Sequence, residues 1–582
     1  MLQDIKKTLI LIDTKLKKQL LTIFFISVIG TFLEALGIGV ILPILKIIVE
    51  GEDFLKNYHS NFETINQFLN YMSLKTYKEL ITFLLFFVIF IFLIKTLFFL
   101  YLINKQTKLS HSIEYKLAKT FFYHYLNQDY SFHLMKNSSK LFSNITEEIK
   151  NFRLNLVDPF LVISTEIIFI FVIAALLILI EPLATTITAI FIIVIAFFYI
   201  NFTKSKISYV ALKRQKHEAL KIQHLKQGLN GIKEIKISGK ENVFLDIFDK
   251  HNQETVDSRA KLALWTSIPR YLLEFLSVAG ISVLAILFVR NGGDLKSLLP
   301  TLGVFLVATF RLLPSTVKIV QSYGKIRFGL PSSNLLRNEL DQSKIKPQIK
   351  KDSQNNIINN FNKLSFKNIS FQYPNSNKNI LDNISLNINK GDKIGIVGPS
   401  GSGKSTFIDL LTGLISPSKG EVYLNEKLVN LKSKNWFKKI SYTPQFIFLS
   451  DDTILNNIAF GVKKEDLNIE NVKKASELSE LKNYIVNLNQ GLNTFIGEFG
   501  IRLSGGQKQR IGIARSLYTN SEILILDEST SAIDLHTEEK IINNINTLSE
   551  KTIIIVSHRL STLKNCNKII EIKNGHLEFK KI

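Results

Sequence analysis

From Leu80 to Ile94 the chain carries no charged side chain, and Thr82 is the one hydroxyl in a run of Leu, Ile, Phe and Val. Such a tract is stable in two settings, deep inside a large soluble protein or in the hydrocarbon of a bilayer. Comparable stretches lie at 20–47, 80–103, 158–180, 184–202, 270–290 and 298–323. Each is near or above the ~20 residues that a helix needs to cross a membrane. Hydrophobic residues make up 46% of the chain while charged ones still make up 21%, so the apolar content is segregated rather than mixed. That pattern predicts an α-helical polytopic membrane domain with six spans. Span 20–47 is too long for the apolar part of a signal peptide and shows no A-x-A-like cleavage site. The segments between the second and third spans, and between the fourth and fifth, are long and are expected to continue as helices beyond the bilayer.

Composition changes after residue 342. Residues 343–358 are polar, rich in Lys, Gln, Asn and Asp, as linkers are. The chain therefore divides into a membrane domain at 1–342, a linker at 343–358 and an α/β domain at 359–582. Leu364-Ser-Phe-Lys-Asn-Ile alternates as a strand does, and Tyr373-Pro374 marks a turn. Ile394-Gly-Ile-Val397 reads as a buried strand feeding Gly398-Pro399-Ser400-Gly401-Ser402-Gly403-Lys404-Ser405. This fits G-x-x-x-x-G-K-S, whose backbone N–H groups cradle phosphates, with Lys404 on the β/γ-phosphates and Ser405 on Mg²⁺. Thr406 to Leu414 reads as a helix whose N-terminus faces those phosphates. Ile523 to Leu526 is an apolar strand that ends in Asp527 and Glu528. Asp527 is expected in the Mg²⁺ shell, and Glu528 is expected to orient and polarise an attacking water. The alternative, a capping Asp-Glu pair before a helix, is the weaker reading downstream of a phosphate loop. The expected ligands are ATP and Mg²⁺.

A net charge of +23 would suit a nucleic-acid partner. The lysines, however, gather at Lys6, Lys7, Lys15, Lys17 and Lys18, at Lys204 and Lys206, and from Lys213 to Lys240. All of these fall on the side that holds the phosphate loop, while the loop at 50–79 on the other side is charge-balanced. That asymmetry is the positive-inside pattern and places both termini in the cytoplasm. A basic rim there also suits anionic lipid headgroups. The expected partner is a membrane and not nucleic acid. Cys566 is the single cysteine, which excludes an intrachain disulfide.

About a hundred residues beyond the phosphate loop stands Leu503-Ser504-Gly505-Gly506-Gln507-Lys508-Gln509-Arg510. With the phosphate loop, Asp527-Glu528 and His558, this string resembles the ATP-binding cassette (ABC) family. The resemblance implies a role for each matching position. Tyr373 would stack on adenine, and Thr406 would complete the phosphate loop. Gln445, in Tyr-Thr-Pro-Gln, would touch Mg²⁺ and sense the membrane domain. Ser531-Ala-Ile-Asp534 would signal between subunits, and His558 would contact the γ-phosphate. Thr494-Phe-Ile-Gly-Glu498-Phe499-Gly resembles an exporter-type element, with Phe499 where the family commonly has Arg. The signature at 503–507 would dock on phosphates held by another subunit, with Ser504 and Gly506 donating hydrogen bonds. One membrane domain and one cassette per chain imply a half-transporter acting as a homodimer, in the exporter branch. Loops around Ser131 to Ile145 and Gly231 to Asn242 lie where that branch places its coupling helices.

Ionisable residues inside spans are costly and usually face a bundle interior or a water-filled cavity. Lys95 interrupts span two, Arg270 begins span five, and Arg311 and Lys318 lie within span six. Arg311 and Lys318 are two helical turns apart and share a face. Two readings stay open. The cations converge on a polyanionic headgroup, or they snorkel outward or pair with Glu34, Glu166 and Glu274. Outside, Tyr58, Phe62, Ile65, Leu69 and Met72 repeat at helical spacing. Such a helix lies in the interface beside a lipid tail, or packs on the protein's own rim. Phe-Leu-Glu34-Ala-Leu-Gly-Ile-Gly-Val-Ile-Leu-Pro43, Pro269-Arg270-Tyr-Leu-Leu-Glu274 and Arg311-Leu-Leu-Pro-Ser315 with Lys318 resemble the lipid-linked oligosaccharide flippases of the PglK type. That resemblance implies an ATP-driven flippase of a polyprenyl-pyrophosphate-linked glycan in a bacterial inner membrane. Lys95, Arg270, Arg311 and Lys318 would then hold the headgroup. A drug, phospholipid or lipid A-type exporter of the same architecture is the alternative.

Overall fold

The computed structural model describes residues 11–50, 77–180, 182–290, 295–342, 361–373, 376 and 378–580. The amphipathic stretch expected at 58–72 lies outside the described residues. The chain divides into two compact units, one of residues 1–128 and 136–345, the other of residues 129–135 and 346–582.

Among the described residues, the regular elements of the first unit are all helices. Its long helices are α1 (Thr14–Glu50) and α2 (Tyr77–Leu126), which leads to the short α3 (Tyr130–Met135) and α4 (Ser138–Ser143). Next come a π-helical turn at Asn144–Glu148, α5 (Ile149–Phe152) and a second π-helical turn at Arg153–Val157. The remaining helices are α6 (Asp158–Ile180), α7 (Pro182–Asn230), α8 (Ile232–Ser238), α9 (Glu241–Arg290) and α10 (Leu295–Gln342). Among the described residues four stretches are long and apolar enough to cross a membrane: Thr14–Gly37, Ile81–Leu126, Ser138–Ala175 and Thr185–Asn230. Helices α2, α7 and α9 run far past their apolar parts, as the long polar segments predict.

Side chains within the bundle explain how these helices hold together. Ala35, Ile173, Ile192 and Leu312 join α1, α6, α7 and α10 in one apolar cluster. Pro269 sits inside α9 and has no N–H to give to Trp265, four residues back. Tyr199 on α7 supplies the missing donor, its hydroxyl lying 2.5 Å from the Trp265 carbonyl. Past the apolar segments, Arg214 is fully buried and bidentate to Glu148 at 3.0 Å on each oxygen. Ser332 on α10 donates to the same carboxylate at 2.6 Å. Close by, a Cβ on Gly329 would lie 2.9 Å from the Asn155 carbonyl, so only glycine lets α10 approach the second π-turn.

The second unit is α/β. Strands β1 (Lys363–Phe371), β2 (Leu381–Asn389), β4 (Lys419–Leu424) and β5 (Lys427–Leu428) form an antiparallel sheet in the order β2-β1-β4-β5. The second sheet runs β10-β9-β3-β8-β7-β6, from β3 (Lys393–Val397), β6 (Ile440–Thr443), β7 (Ile523–Asp527), β8 (Thr552–Val556), β9 (Lys568–Lys573) and β10 (His576–Lys580). All its pairings are parallel except β9 with β10. Strand β7 is buried on both faces, as uninterrupted apolar strands of parallel sheets are. Its Ile523 and Ile525 enter the core shared with the antiparallel sheet, and Leu524 and Leu526 enter the core under the helices. Those helices are α13 (Ile454–Ile458), α14 (Ile469–Leu478), α15 (Lys482–Val486), α16 (Gly505–Tyr518) and α17 (Leu535–Asn546), whereas α11 (Lys404–Thr412) and α12 (Lys434–Phe437) pack into the core shared with the antiparallel sheet. Segment 129–135 belongs to this unit, where Asp129 pairs with Lys432 at 2.9 Å.

Candidate nucleotide site and the charges of the membrane unit

The sheet order β3-β8-β7-β6 places four strand ends side by side. The glycine loop follows β3, His558 follows β8, Asp527 and Glu528 end β7, and Gln445 follows β6. Residues more than a hundred positions apart thus meet at the carboxyl edge of one parallel sheet, where α/β folds bind ligands.

The loop is built for close approach. Gly398 has φ of 151°, and a Cβ there would lie 2.3 Å from the Ile572 carbonyl. Gly403 caps α11 in a left-handed conformation, so the first N–H groups of the helix point into the loop. Lys404 is buried and donates to the carbonyls of Gly398 and Pro399 at 2.8 and 3.0 Å. Among the described residues the buried Ser402 hydroxyl has no hydrogen-bond partner, and such orphaned donors call for an explanation. A phosphate in the loop would give it one. Ser405 is exposed at the helix start, and Thr406 lies 3.5 Å from the Tyr373 hydroxyl. Pro399, Ser400 and Gly401 complete the turn.

The carboxylates differ in setting. Asp527 is buried, and burial holds its carboxyl above the usual range, with Glu528 adding repulsion and Lys404 opposing it. The Tyr442 phenol donates to it at 3.1 Å, and burial together with Asp527 pushes that phenol up. Ser405, Gln445 and Asp527 offer hard oxygen donors of the kind Mg²⁺ takes. Glu528 sits at φ of 46°, a left-handed backbone that costs about 1–3 kcal/mol outside glycine. Its N–H bonds the Val556 carbonyl at 3.0 Å. Its two oxygens face Gln445 Nε2 at 2.7 Å and His558 Nε2 at 3.0 Å. The arrangement holds one carboxylate at a strained position between a donor amide and an exposed imidazole.

The signature string caps α16. Ser504 accepts from the Gln507 N–H at 3.3 Å, and Gln507 Oε1 accepts from the Ser504 N–H at 2.8 Å. This capping box fixes the helix start and leaves Ser504 and Gly505 exposed, with Leu503 tucked into the core and Gly506 against the Ala532 carbonyl. Gln509 has a role that sequence reasoning missed. It donates to Ser531 at 3.0 Å and accepts from the Ala532 N–H at 2.7 Å, tying the signature helix to the segment before Asp534. It stood in the same string, one turn beyond Ser504. Asp534 caps α17. Phe499 has φ of 50° and meets Phe448 edge-on.

The four cations expected inside spans fall into different settings, and of them only Lys95 lies within one of the four apolar stretches found among the described residues. Lys95 Nζ lies 2.6 Å from Glu34 and 5.0 Å from the centre of the Phe92 ring, with 15% of its side chain exposed. Lys318 Nζ lies 2.6 Å from Glu166, but 56% of its side chain is exposed against 13% for the glutamate. Arg270 and Glu274 are both exposed, and Arg270 faces the Tyr271 ring. Arg311 lies on α10, and its side chain is outside the described residues.

Known proteins place this geometry. Residues 381–531 match the ABC transporter family model, and residues 20–310 match that of the ABC transporter transmembrane region. The chain belongs to the ABC transporters. It is 44% identical over 227 residues to the multidrug resistance-like ATP-binding protein MdlA of Buchnera aphidicola subsp. Schizaphis graminum, covering 38% of this chain and 39% of that one. It is 32% identical over 359 residues to the ATP-dependent lipid A-core flippase of Photorhabdus laumondii, covering 60% of each chain. The chain therefore spans three-fifths or less of these relatives' length. In fold it matches a bacterial Atm1-family ABC exporter solved with ATP bound, with a TM-score of 0.77 over 97% of this chain and 95% of that one, at 21% identity. Its architecture is that of an ABC exporter, a helical membrane domain followed by a nucleotide-binding domain.

Proposed function

We propose that the chain is one half of an ATP-driven exporter that moves an anionic glycolipid, a polyprenyl-pyrophosphate-linked oligosaccharide or a close relative. It works in a bacterial inner membrane with both termini and the cassette in the cytoplasm. Lys404 and the loop N–H groups hold the phosphates, while Ser405, Gln445 and Asp527 hold Mg²⁺. Mg²⁺ held there would supply positive charge against the charge that develops on the leaving group. Glu528 orients the attacking water and takes up its proton. His558 and Gln445 keep that carboxylate in place, and the exposed His558 ring would turn from Glu528 to meet the γ-phosphate. Tyr373 stands beside the loop for the base. Ser504 and Gly506 act on the site of a second copy, so the working unit is a homodimer.

The observation that carries the lipid reading is the Lys318–Glu166 pair. An ammonium inside a span that keeps more than half its side chain open has room for a second anion. The enclosed Lys95–Glu34 pair fits a structural counter-ion instead. Lys318→Gln and Arg311→Gln transporters in liposomes test the assignment. Flipping of a fluorescent pyrophosphate-linked lipid should fall at least tenfold, the factor that 1.4 kcal/mol of lost ion binding gives, while basal ATPase is kept. Normal flipping by both rejects a pyrophosphate cargo. A second reading, export of drugs or of phospholipid and lipid A-type amphiphiles, draws on the names of the relatives. Stimulation of ATPase by uncharged drugs, and not by pyrophosphate lipids, would favour it.

A further inference from the structure

Helices α1 and α6 leave a groove of about 340 Å³ between them, at the N-terminal end of α1 where Lys15, Lys17 and Lys18 stand. That volume lies in the range of small-ligand sites. Leu21, Phe24, Phe160 and Leu161 form its walls. Three hydroxyls also line it, and each donates to its own helix: Ser27 to Ile23 at 2.7 Å, Ser164 to Phe160 at 2.8 Å and Thr165 to Val162 at 2.9 Å. These hydroxyls therefore offer no proton to a sugar or a base, most of whose buried polar groups would go unmatched there. One charge stands in the lining, the half-buried Lys17. Among the described residues Lys17 has no carboxylate partner, and Asp13, one turn before it, is held by Lys116 at 3.3 Å.

We propose that this groove holds an acyl chain of an anionic phospholipid from the cytoplasmic leaflet, with its phosphate on Lys17. The dry wall selects a hydrocarbon tail. The uncompensated ammonium selects a negative headgroup and repels cationic amphiphiles. The site is separate from the cations of α10, so its failure would leave the cargo reading untouched, and the reverse also holds.

Quenching by bromine-labelled lipids tests this on the full-length protein in phosphatidylcholine nanodiscs. Phe24→Trp adds a reporter in the groove, read as the emission gained over the parent protein. Brominated phosphatidylglycerol should quench that emission at about one-fifth the mole fraction needed by phosphatidylcholine with the same chains. A factor of five corresponds to one lysine near an anionic headgroup. Adding Lys17→Gln should erase the preference while retaining ATP hydrolysis, which also reports folding. Leu21→Trp serves as reporter if Phe24→Trp does not fold. Equal quenching by both lipids, or a preference that survives Lys17→Gln, overturns the proposal. Absence of quenching by either lipid also overturns it, because protein then covers the groove.

Discussion

Glu528 in the cassette and Glu148 in the membrane unit are both held by several partners, yet the two sites are built for different ends. Glu148 is 1% exposed, and Arg214 and Ser332 converge on its carboxylate from helices far away in sequence. Backbone dihedrals around it are helical. Glu528 has a left-handed backbone, 20% of its side chain open and an imidazole partner that is itself 55% exposed. A buried, saturated charge makes a rigid joint. A strained and partly open one can exchange partners during turnover. Lys95 and Lys318 repeat the contrast, the first closed and the second open.

The largest expected effect breaks the cassette side of the comparison. Glu528→Gln keeps the shape and removes the carboxylate proposed to take the water's proton, so ATP turnover should fall by about 10²–10⁴. Melting should stay within about 0.5 kcal/mol of wild type, as for other substitutions that remove no buried contact. Near-normal phosphate release would take Glu528 out of its role. Lys404→Ala should instead lose nucleotide binding, measured directly with a fluorescent ATP analogue.

The joint gives the opposite signature. Glu148→Ala strands the fully buried Arg214, and removing one partner of such a pair costs about 3–5 kcal/mol. The loss should appear in urea unfolding of the membrane unit, with the nucleotide affinity of the cassette preserved. A cost below about 1 kcal/mol would mean that water reaches Arg214 and the joint is not sealed.

What could be read from the sequence follows the same divide. The glycine loop, Asp527-Glu528, the signature and His558 are short strings, each beside its own strand or helix end, so chemistry and local structure coincide in a few residues. The Arg214–Glu148–Ser332 joint spans 66 and 118 positions, and no local pattern announces such a contact. Tyr199 filling the carbonyl left free by Pro269 is hidden for the same reason. Lys95, Glu34, Lys318 and Glu166 stand out as charges in stretches expected to be spans, but which acid meets which base depends on helix packing. The π-turns at Asn144–Glu148 and Arg153–Val157 carry no composition signal either.

Double-mutant cycles sharpen the contrast between the two lysines. Lys95 and Glu34, both about five-sixths covered, should couple by about 2 kcal/mol. Lys318 and Glu166 should couple by less than about 1 kcal/mol, the ceiling of exposed pairs. Equal coupling would erase the distinction on which the cargo reading rests.

The smallest effect concerns a carboxylate that no motif marks. Asp409 lies on α11, one turn beyond the loop, and burial with repulsion from Asp527 pushes it up to about 6. A folded-state value above the unfolded ~3.9 means that folding favours the protonated acid. This contribution is fully present below about pH 4 and is lost as pH rises through 6, so near neutrality the ionised group is a net cost. Asp409 is partly exposed, and solvent screening reduces that cost to about 1–2 kcal/mol at most. Asp409→Asn removes the charge at nearly constant shape. It should raise the melting temperature of the cassette at pH 8 and leave it unchanged at pH 4. A gain of equal size at both values would assign the effect to packing. A loss at pH 8 would mean that the ionised carboxylate is being stabilised where it sits, which puts a cation within reach of Asp409 and Asp527 together.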